Sequence, residues 1–124
     1  MKLTLEQNNP NANVVRAYEP GKLIVGLNTF TRSFILSPGE IVDRWPPGSM
    51  DELTMDHVRM ISALDADVLL IGTGSRQVFP RPDLMRDILA AGLTIEFMDT
   101  AAACRTYNIL YSEDRQVAAG LMMI

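Results

Sequence analysis

The sequence predicts a single α/β domain, in which an antiparallel N-terminal meander precedes a C-terminal β-α-β-α-β unit. Two patterns support this fold class. In the first half, Pro-Gly turns separate short apolar segments, which is typical of antiparallel strands. In the second half, apolar segments of strand length alternate with segments of helical spacing. At 124 residues the chain fits one domain, which we assign to residues 13–124, after a flexible, asparagine-rich leader at residues 1–12.

Four short segments form the strands of the predicted meander. They are residues 14–18, 23–27, 31–36 and 40–45. Turns that contain Pro-Gly join the members of each pair, at 19–22 and 37–39, because proline presets φ and glycine accepts a positive φ. Trp45 ends this half, and the two prolines after it exclude a continuing central strand. We interpret Trp45 as a seal at the edge of the core, in preference to a ligand-binding aromatic residue.

Three helices and three strands are predicted in the second half. The helices run from about 51 to 64, 82 to 91 and 100 to 111, and the strands from 67 to 71, 93 to 98 and 116 to 123. Asp51 and Glu52 favour a helix start at that point, because anions are stabilised near a helix N-terminus. Pro82 suits a first helical turn, and Asp99 or Thr100 caps the third helix. The alternating order requires a largely parallel sheet with helices packed on it.

Composition and charge exclude several classes of function. The net charge of −4 and the interleaving of acidic residues with arginines argue against nucleic-acid binding, which requires clustered cations. No apolar run is long enough to span a bilayer, and the first residues lack the apolar block of a signal peptide, so we predict a cytoplasmic protein. Cys104 is the only cysteine and His57 the only histidine, and neither a metal site nor a cofactor is predicted.

A strand followed by Gly72-Thr73-Gly74 raises the question of a nucleotide site. A dinucleotide fingerprint needs a third glycine and an immediate helix start, and a P-loop needs Gly-Lys followed by Ser or Thr. Neither pattern is present here, since a loop from Ser75 to Arg81 separates the glycines from the helix that begins at Pro82. The two glycines are therefore interpreted as a tight exit of the backbone from the sheet.

The carboxyl ends of parallel strands are nevertheless the usual place for a ligand in such a sheet. Two loops leave the predicted strands there, and an anion is the favoured guest, because Arg76 offers a charge-assisted contact and a helix start offers free N–H groups. The alternative function is thus a binder or enzyme for a small anionic ligand. Its site would comprise Gly72, Thr73, Gly74, Ser75, Arg76, Asp99 and Thr100.

The third helix carries the remaining candidate residues. Cys104 lies about one turn after the helix start, where the helix dipole could lower the pKa of a thiol. A reactive cysteine also needs a base, and nothing in the sequence brings His57 close, so a small buried residue beside alanines is the preferred interpretation. Arg105 and Asn108 flank one stripe of the helix, and Arg105 can form a surface ion pair with an acidic neighbour.

Three blocks in this order resemble the Mth938-like family of small domains of unknown function. They are Leu70-Ile71-Gly72-Thr73-Gly74, Met98-Asp99-Thr100 and Ala103-Cys104-Arg105-Thr106-Tyr107-Asn108. The resemblance extends from about Val14 to the C-terminus. It implies a three-layer β/β/α fold and assigns no catalytic residue. The family includes the adipogenesis-associated Mth938-domain protein and mitochondrial complex I assembly factor 3. Its best described role, assembly of the respiratory NADH:ubiquinone oxidoreductase, implies a protein partner.

Three functions therefore follow from the sequence. The preferred one is a non-enzymatic interaction or assembly factor with a protein partner, and the alternatives are the small-anion site and a thiol-dependent activity at Cys104. The sequence identifies neither the partner nor the oligomeric state. The candidate ligand or partner surface comprises the seven residues of the strand-end site together with Cys104, Arg105 and Asn108.

Overall fold

The structure, a computed structural model, describes residues 12–124. Apart from Ala12, the predicted leader lies outside the described residues. The strands are β1 (Val15–Glu19), β2 (Lys22–Val25), β3 (Asn28–Phe30), β4 (Phe34–Leu36), β5 (Ile41–Val42), β6 (Val68–Gly72), β7 (Ile95–Met98) and β8 (Val117–Leu121). The helices are α1 (Met55–Ser62), α2 (Pro82–Ala90) and α3 (Thr100–Ser112), with a short 3-10 helix at Met50–Glu52 before α1.

These strands form two sheets. The larger sheet has the order β5-β4-β8-β6-β7, and its strands β8, β6 and β7 are parallel, as the alternating pattern of the second half predicts. Strands β4 and β5 extend it in antiparallel fashion through pairing of β4 with β8. The smaller sheet is the antiparallel meander β1-β2-β3. The N-terminal half is therefore antiparallel as predicted, but it divides between the two sheets.

Several predicted boundaries are wrong for local reasons. The predicted strand 23–27 ends at Val25, because Gly26 adopts a positive φ of 57° and turns the chain into β3, which the sequence pattern does not indicate. The predicted strand 31–36 begins at Phe34 and runs between two neighbours, so all its residues are buried. The predicted strand 40–45 is reduced to Ile41–Val42.

The start of α1 is also corrected. Asp51 lies in the preceding 3-10 helix, and α1 begins at Met55 after the N-cap Thr54. Thr54 N–H donates to Nδ1 of His57 at 3.1 Å, and His57 N–H donates to Thr54 Oγ1 at 3.4 Å. This reciprocal pair satisfies N–H groups that a helix start otherwise leaves free. The single histidine is thus used to cap a helix.

The larger sheet forms the central layer of the molecule. On one face, α1 and α2 bury Ile71 and Ala118 together with Trp45. The Trp45 ring is buried, and its indole N–H donates to the carbonyl of His57 at 3.0 Å, which confirms its interpretation as a core seal. On the other face, α3 and the smaller sheet cover Leu70 with a second apolar cluster. The predicted three-layer fold is therefore confirmed.

Candidate functional site

The loops that follow β6 and β7 meet at one edge of the central sheet. Thr73 N–H donates to the carbonyl of Met98 at 2.8 Å, and Thr100 N–H donates to the carbonyl of Gly74 at 2.9 Å. The N–H of Gly74 in turn donates to Thr100 Oγ1 at 2.9 Å. The parallel order of the strands brings these two segments together, as the sequence predicts.

The two glycines of this edge have packing roles. A Cβ atom on Gly72 would lie 2.9 Å from Thr100 Oγ1 and 3.0 Å from its Cα, so only glycine allows the first turn of α3 to approach β6 this closely. Gly74 has a φ of 101°, which other residues rarely adopt. The interpretation of the glycines as a tight exit from the sheet agrees with this geometry.

The side chains at the start of α3 are already engaged in hydrogen bonds. Asp99 caps the helix, and its carboxylate accepts the N–H of Ala102 at 2.8 Å. Thr100 is fully buried, and its hydroxyl donates to the carbonyl of Met122 at 2.6 Å. The Asp99 carboxylate both occupies the helix start and places a negative charge there. An anion at this edge would therefore depend mainly on Arg76.

Residues 73–81, here called the strand-exit loop, are braced from within. The Thr73 hydroxyl donates to the carbonyl of Arg76 at 2.6 Å and accepts the N–H of Val78 at 3.2 Å. A side-chain bond of this kind, from one loop residue to the backbone of its neighbours, holds a turn without regular secondary structure. Thr73 is consequently buried and structural.

The loop is also anchored to the rest of the domain. The side-chain amide of Gln77 donates to the carbonyl of Phe97 on the edge strand β7 at 2.8 Å. At the end of the loop, the guanidinium of Arg81 donates to the carbonyl of Leu53 at 3.0 Å and pairs with Asp83 at 3.6 Å. These contacts fix the middle of the loop to the central sheet and its end to the segment before α1.

The tip of the strand-exit loop is directed to solvent. Ser75 and Arg76 are exposed and face Asp51 across a shallow pocket of about 230 Å³. Phe79, three residues further on, is 68% exposed. Phe79 is not among the residues predicted from the sequence. The signal that could have identified it is an aromatic residue in a largely polar loop, directly before Pro80.

Cys104 lies in the interior. Its side chain is fully buried in the apolar cluster between α3 and the central sheet, and burial raises the pKa of the thiol to about 12, although Arg105 lowers it. The thiol is therefore protonated at neutral pH. His57 belongs to α1, which packs on the opposite face of that sheet, so it is not placed to act as a base for Cys104.

Arg105 and Asn108 do not share an exposed stripe, which corrects that expectation. Asn108 is buried, and its side chain accepts the N–H of Val15 at 2.9 Å and donates to the carbonyl of Val15 at 2.8 Å. Arg105 is exposed and donates to the hydroxyl of Tyr18 at 2.9 Å, and among residues 12–124 it forms no ion pair with an acidic side chain. Of the predicted surface, Ser75, Arg76 and Arg105 thus present exposed side chains.

Two further properties concern the part of the chain that the structure describes. Within residues 12–124, no three side chains of His, Cys, Asp or Glu are grouped so that they could hold a metal ion. In the same range, no helix has the length and apolar character needed to cross a membrane.

Comparison with known proteins identifies related sequences and structures. The model of a family described as protein of unknown function (DUF498/DUF598) matches residues 15–122. A Bordetella pertussis protein described as a Mth938-like domain has a solution structure similar to this one, with a TM-score of 0.78 and 31% identity over 99% of this chain and 92% of that one. This similarity confirms the predicted fold class.

Two relatives have names that bear on function. The 13 kDa major membrane protein of Francisella tularensis is 29% identical over 94% of this chain and 96% of its own length. The zebrafish (Danio rerio) NADH dehydrogenase (ubiquinone) 1 alpha subcomplex assembly factor 3 is 29% identical over 88% of this chain. The match spans 63% of the length of that assembly factor.

Proposed function

The chain belongs to the family of proteins of unknown function DUF498/DUF598, and from this premise we propose that it is a non-enzymatic interaction or assembly factor. In this proposal, a protein partner binds at the strand-exit loop, with Phe79 as the apolar anchor. The similarity to an assembly factor supports the class of function. The geometry of the loop supports the proposal that the partner binds there.

The exposure of Phe79 on a braced loop is the observation that carries the proposal. Phe79 is 68% exposed, and its removal from water by a partner would contribute favourably to the free energy of binding. Because Thr73 and Gln77 already hold the loop, little backbone entropy is lost on binding. Phenylalanine and arginine are both enriched at protein interfaces, and Arg76 lies three positions before Phe79.

The proposed partner is a subunit or assembly protein of a respiratory NADH dehydrogenase. This choice rests on the relatives named as assembly factors for that enzyme. Because the chain spans less than two thirds of those proteins, contacts made by their additional segments are not carried over. The cytoplasmic location stays a prediction, which separation of membrane and cytosol fractions of the native host tests directly.

Affinity capture with variants tests the proposed surface. Wild type, Phe79→Ser and Leu27→Ser are expressed with the same tag in the native host, cross-linked mildly and compared by quantitative mass spectrometry. Leu27 is the matched control, because it is also an exposed apolar residue, at 71%, but lies in the turn between β2 and β3. We expect Phe79→Ser to lose the specific partner, since an interface anchor contributes about 2 kcal/mol or more.

The two variants separate the possible results. Loss of respiratory NADH dehydrogenase proteins with Phe79→Ser alone supports the proposal. Equal capture by wild type and Phe79→Ser, or loss only with Leu27→Ser, contradicts the assignment of the strand-exit loop. Circular dichroism melting of both variants checks that each retains the folded domain, which is expected because both side chains lie outside the core.

A further inference from the structure

A second pocket lies beside the start of β4, and none of the candidate residues predicted from the sequence lines it. The N–H of Trp45 donates to the carbonyl of Ser33 at 3.1 Å, so the chain continues to pair past the ends of β4 and β5, with a shift of one residue from the register of these strands. This pairing places the segment Arg32-Ser33 beside the segment Arg44-Trp45. Both arginines, Ser33 and Gly48 line a pocket of about 280 Å³.

The two arginines of this pocket have no acidic partner in the described part of the chain. Both are exposed, and neither forms an ion pair with an acidic residue within 12–124. Of the nearby acids, Glu52 already accepts the N–H of Gly48 at 2.7 Å, and Asp43 lines a different pocket. In the described part of the chain, no acidic side chain is therefore paired with either guanidinium group.

Ser33 supplies an independent observation. Its side chain is only 5% exposed, and its hydroxyl has no hydrogen-bond partner in the described range. Among the described residues, the Ser33 hydroxyl oxygen is the buried side-chain polar atom that lacks a hydrogen bond. Such a group costs free energy unless something accepts or donates a hydrogen bond. Ser33 also lines the pocket, so a rotation of its side chain toward the pocket would let a ligand there satisfy the hydroxyl.

We propose that Arg32, Ser33 and Arg44 form a binding site for a small molecule that carries a carboxylate or phosphate group. The site offers hydrogen-bond donors from two guanidinium groups and one hydroxyl, which match an oxyanion. One guanidinium group can donate two parallel hydrogen bonds to two oxygens of a carboxylate or phosphate. A pocket of about 280 Å³ accommodates a compact metabolite. This site uses none of the residues of the strand-exit loop, so it stands or falls independently of the proposed function.

Anion binding to the full chain tests the site. Inorganic phosphate and succinate are titrated by calorimetry and by thermal shift, with sodium chloride at matched ionic strength as the reference. Arg32→Gln and Arg44→Gln each remove one guanidinium while keeping a similar length. We expect each to weaken binding by about tenfold or more, because a hydrogen bond to a charged group typically has this effect.

Two control arginines define where the anion binds. Arg86→Gln changes an exposed arginine of α2 and is expected to leave the affinity within about twofold. Arg76→Gln removes the cation of the strand-exit loop and tests the alternative anion site there. If Arg76→Gln abolishes binding while Arg32→Gln and Arg44→Gln do not, the anion binds at the strand-end edge and our assignment is wrong.

Ser33→Ala distinguishes a binding role from a structural one. It removes an unsatisfied buried hydroxyl, so the unliganded variant is expected to be at least as stable as wild type while its affinity for the anion falls. A Ser33→Ala variant that is less stable and binds with unchanged affinity contradicts the proposal. So does a wild-type protein that phosphate and succinate stabilise no more than chloride does. If the proposal holds, the probe that binds more tightly, phosphate or succinate, identifies the ligand as a phosphate or a carboxylate compound.

Discussion

Gly72 illustrates what a single residue contributes to this domain. Its place in a Gly-Thr-Gly segment after a strand resembles the start of a phosphate-binding loop, but the close contact is with the protein itself. The missing Cβ provides the space that Thr100 occupies. Thr100 then bonds both to Gly74 and to Met122, which joins the ends of β6 and β8 to the start of α3.

Gly72→Ala is therefore expected to destabilise the domain. The added methyl group would lie 2.9 Å from Thr100 Oγ1 and 3.1 Å from a methyl group of Leu121, and overpacking of this kind costs about 1–3 kcal/mol. Gly39→Ala is the matched control, because a Cβ there meets no atom within 4 Å. Urea unfolding of both variants measures the difference, and equal stabilities would contradict the packing role of Gly72.

Cys104 gives a prediction on pH dependence. The pKa of its thiol is raised from 9.0 to about 12, chiefly by burial, so the folded state retains a proton that the unfolded state releases. The stability that this proton contributes is complete below pH 9 and is lost as the pH rises toward 12. The free energy of unfolding should therefore fall by about 1 kcal/mol per pH unit in that window.

The variant Cys104→Ala isolates this contribution. It removes the thiol and should reduce the slope of unfolding free energy against pH above pH 9. Part of the slope will remain, because burial also raises the pKa of Tyr107. Urea unfolding at a series of pH values measures both slopes. Identical slopes, or rapid alkylation of native Cys104 at neutral pH, would show that the thiol is not buried as described.

At the scale of elements, α3 serves as a neighbour for the edge strand β1. Asn108 bonds to both the N–H and the carbonyl of Val15, as an adjacent strand would. Tyr107 adds a bond from its hydroxyl to the carbonyl of Asn13 at 2.7 Å. The helix thereby joins the smaller sheet to the central one and protects an edge that would otherwise be free to pair with other chains.

Asn108→Ala is expected to cost about 2–4 kcal/mol of unfolding free energy, because it leaves two buried backbone groups of Val15 without partners. Ile109→Ala, which changes the exposed neighbour on the same helix, should cost well under half as much. Hydrogen exchange should also show faster exchange at the Val15 amide in Asn108→Ala alone. An unchanged Val15 amide would exclude the proposed link between α3 and β1.

The elements differ in how well the sequence predicts them. Strand β6, helix α2 and strand β8 were predicted to within a few residues, because buried parallel strands and amphipathic helices leave strong local patterns. Strand β3 was missed, since Asn28-Thr29-Phe30 is mostly exposed and carries no such pattern. Asn108 was assigned to the surface because its partner, Val15, is 93 positions away in the chain.

At the scale of the whole molecule, the parallel order of β8, β6 and β7 explains why the candidate residues meet. That order could be predicted, and with it the shared edge of the two loops. The exposure of Phe79 and the shared pocket of Arg32 and Arg44 could not, because they depend on how separate segments pack. The function therefore has to be tested on the folded protein, in the presence of the cell's own proteins.

Site-specific photo-cross-linking tests the central claim most directly. A benzoylphenylalanine residue is introduced at position 79 in one variant and at position 27 in another, and cross-linked products from living cells of the native host are compared. Our account predicts a discrete adduct with one protein partner from position 79 and none of comparable yield from position 27. An adduct that forms only from position 27, or equally from both positions, would contradict binding through the strand-exit loop.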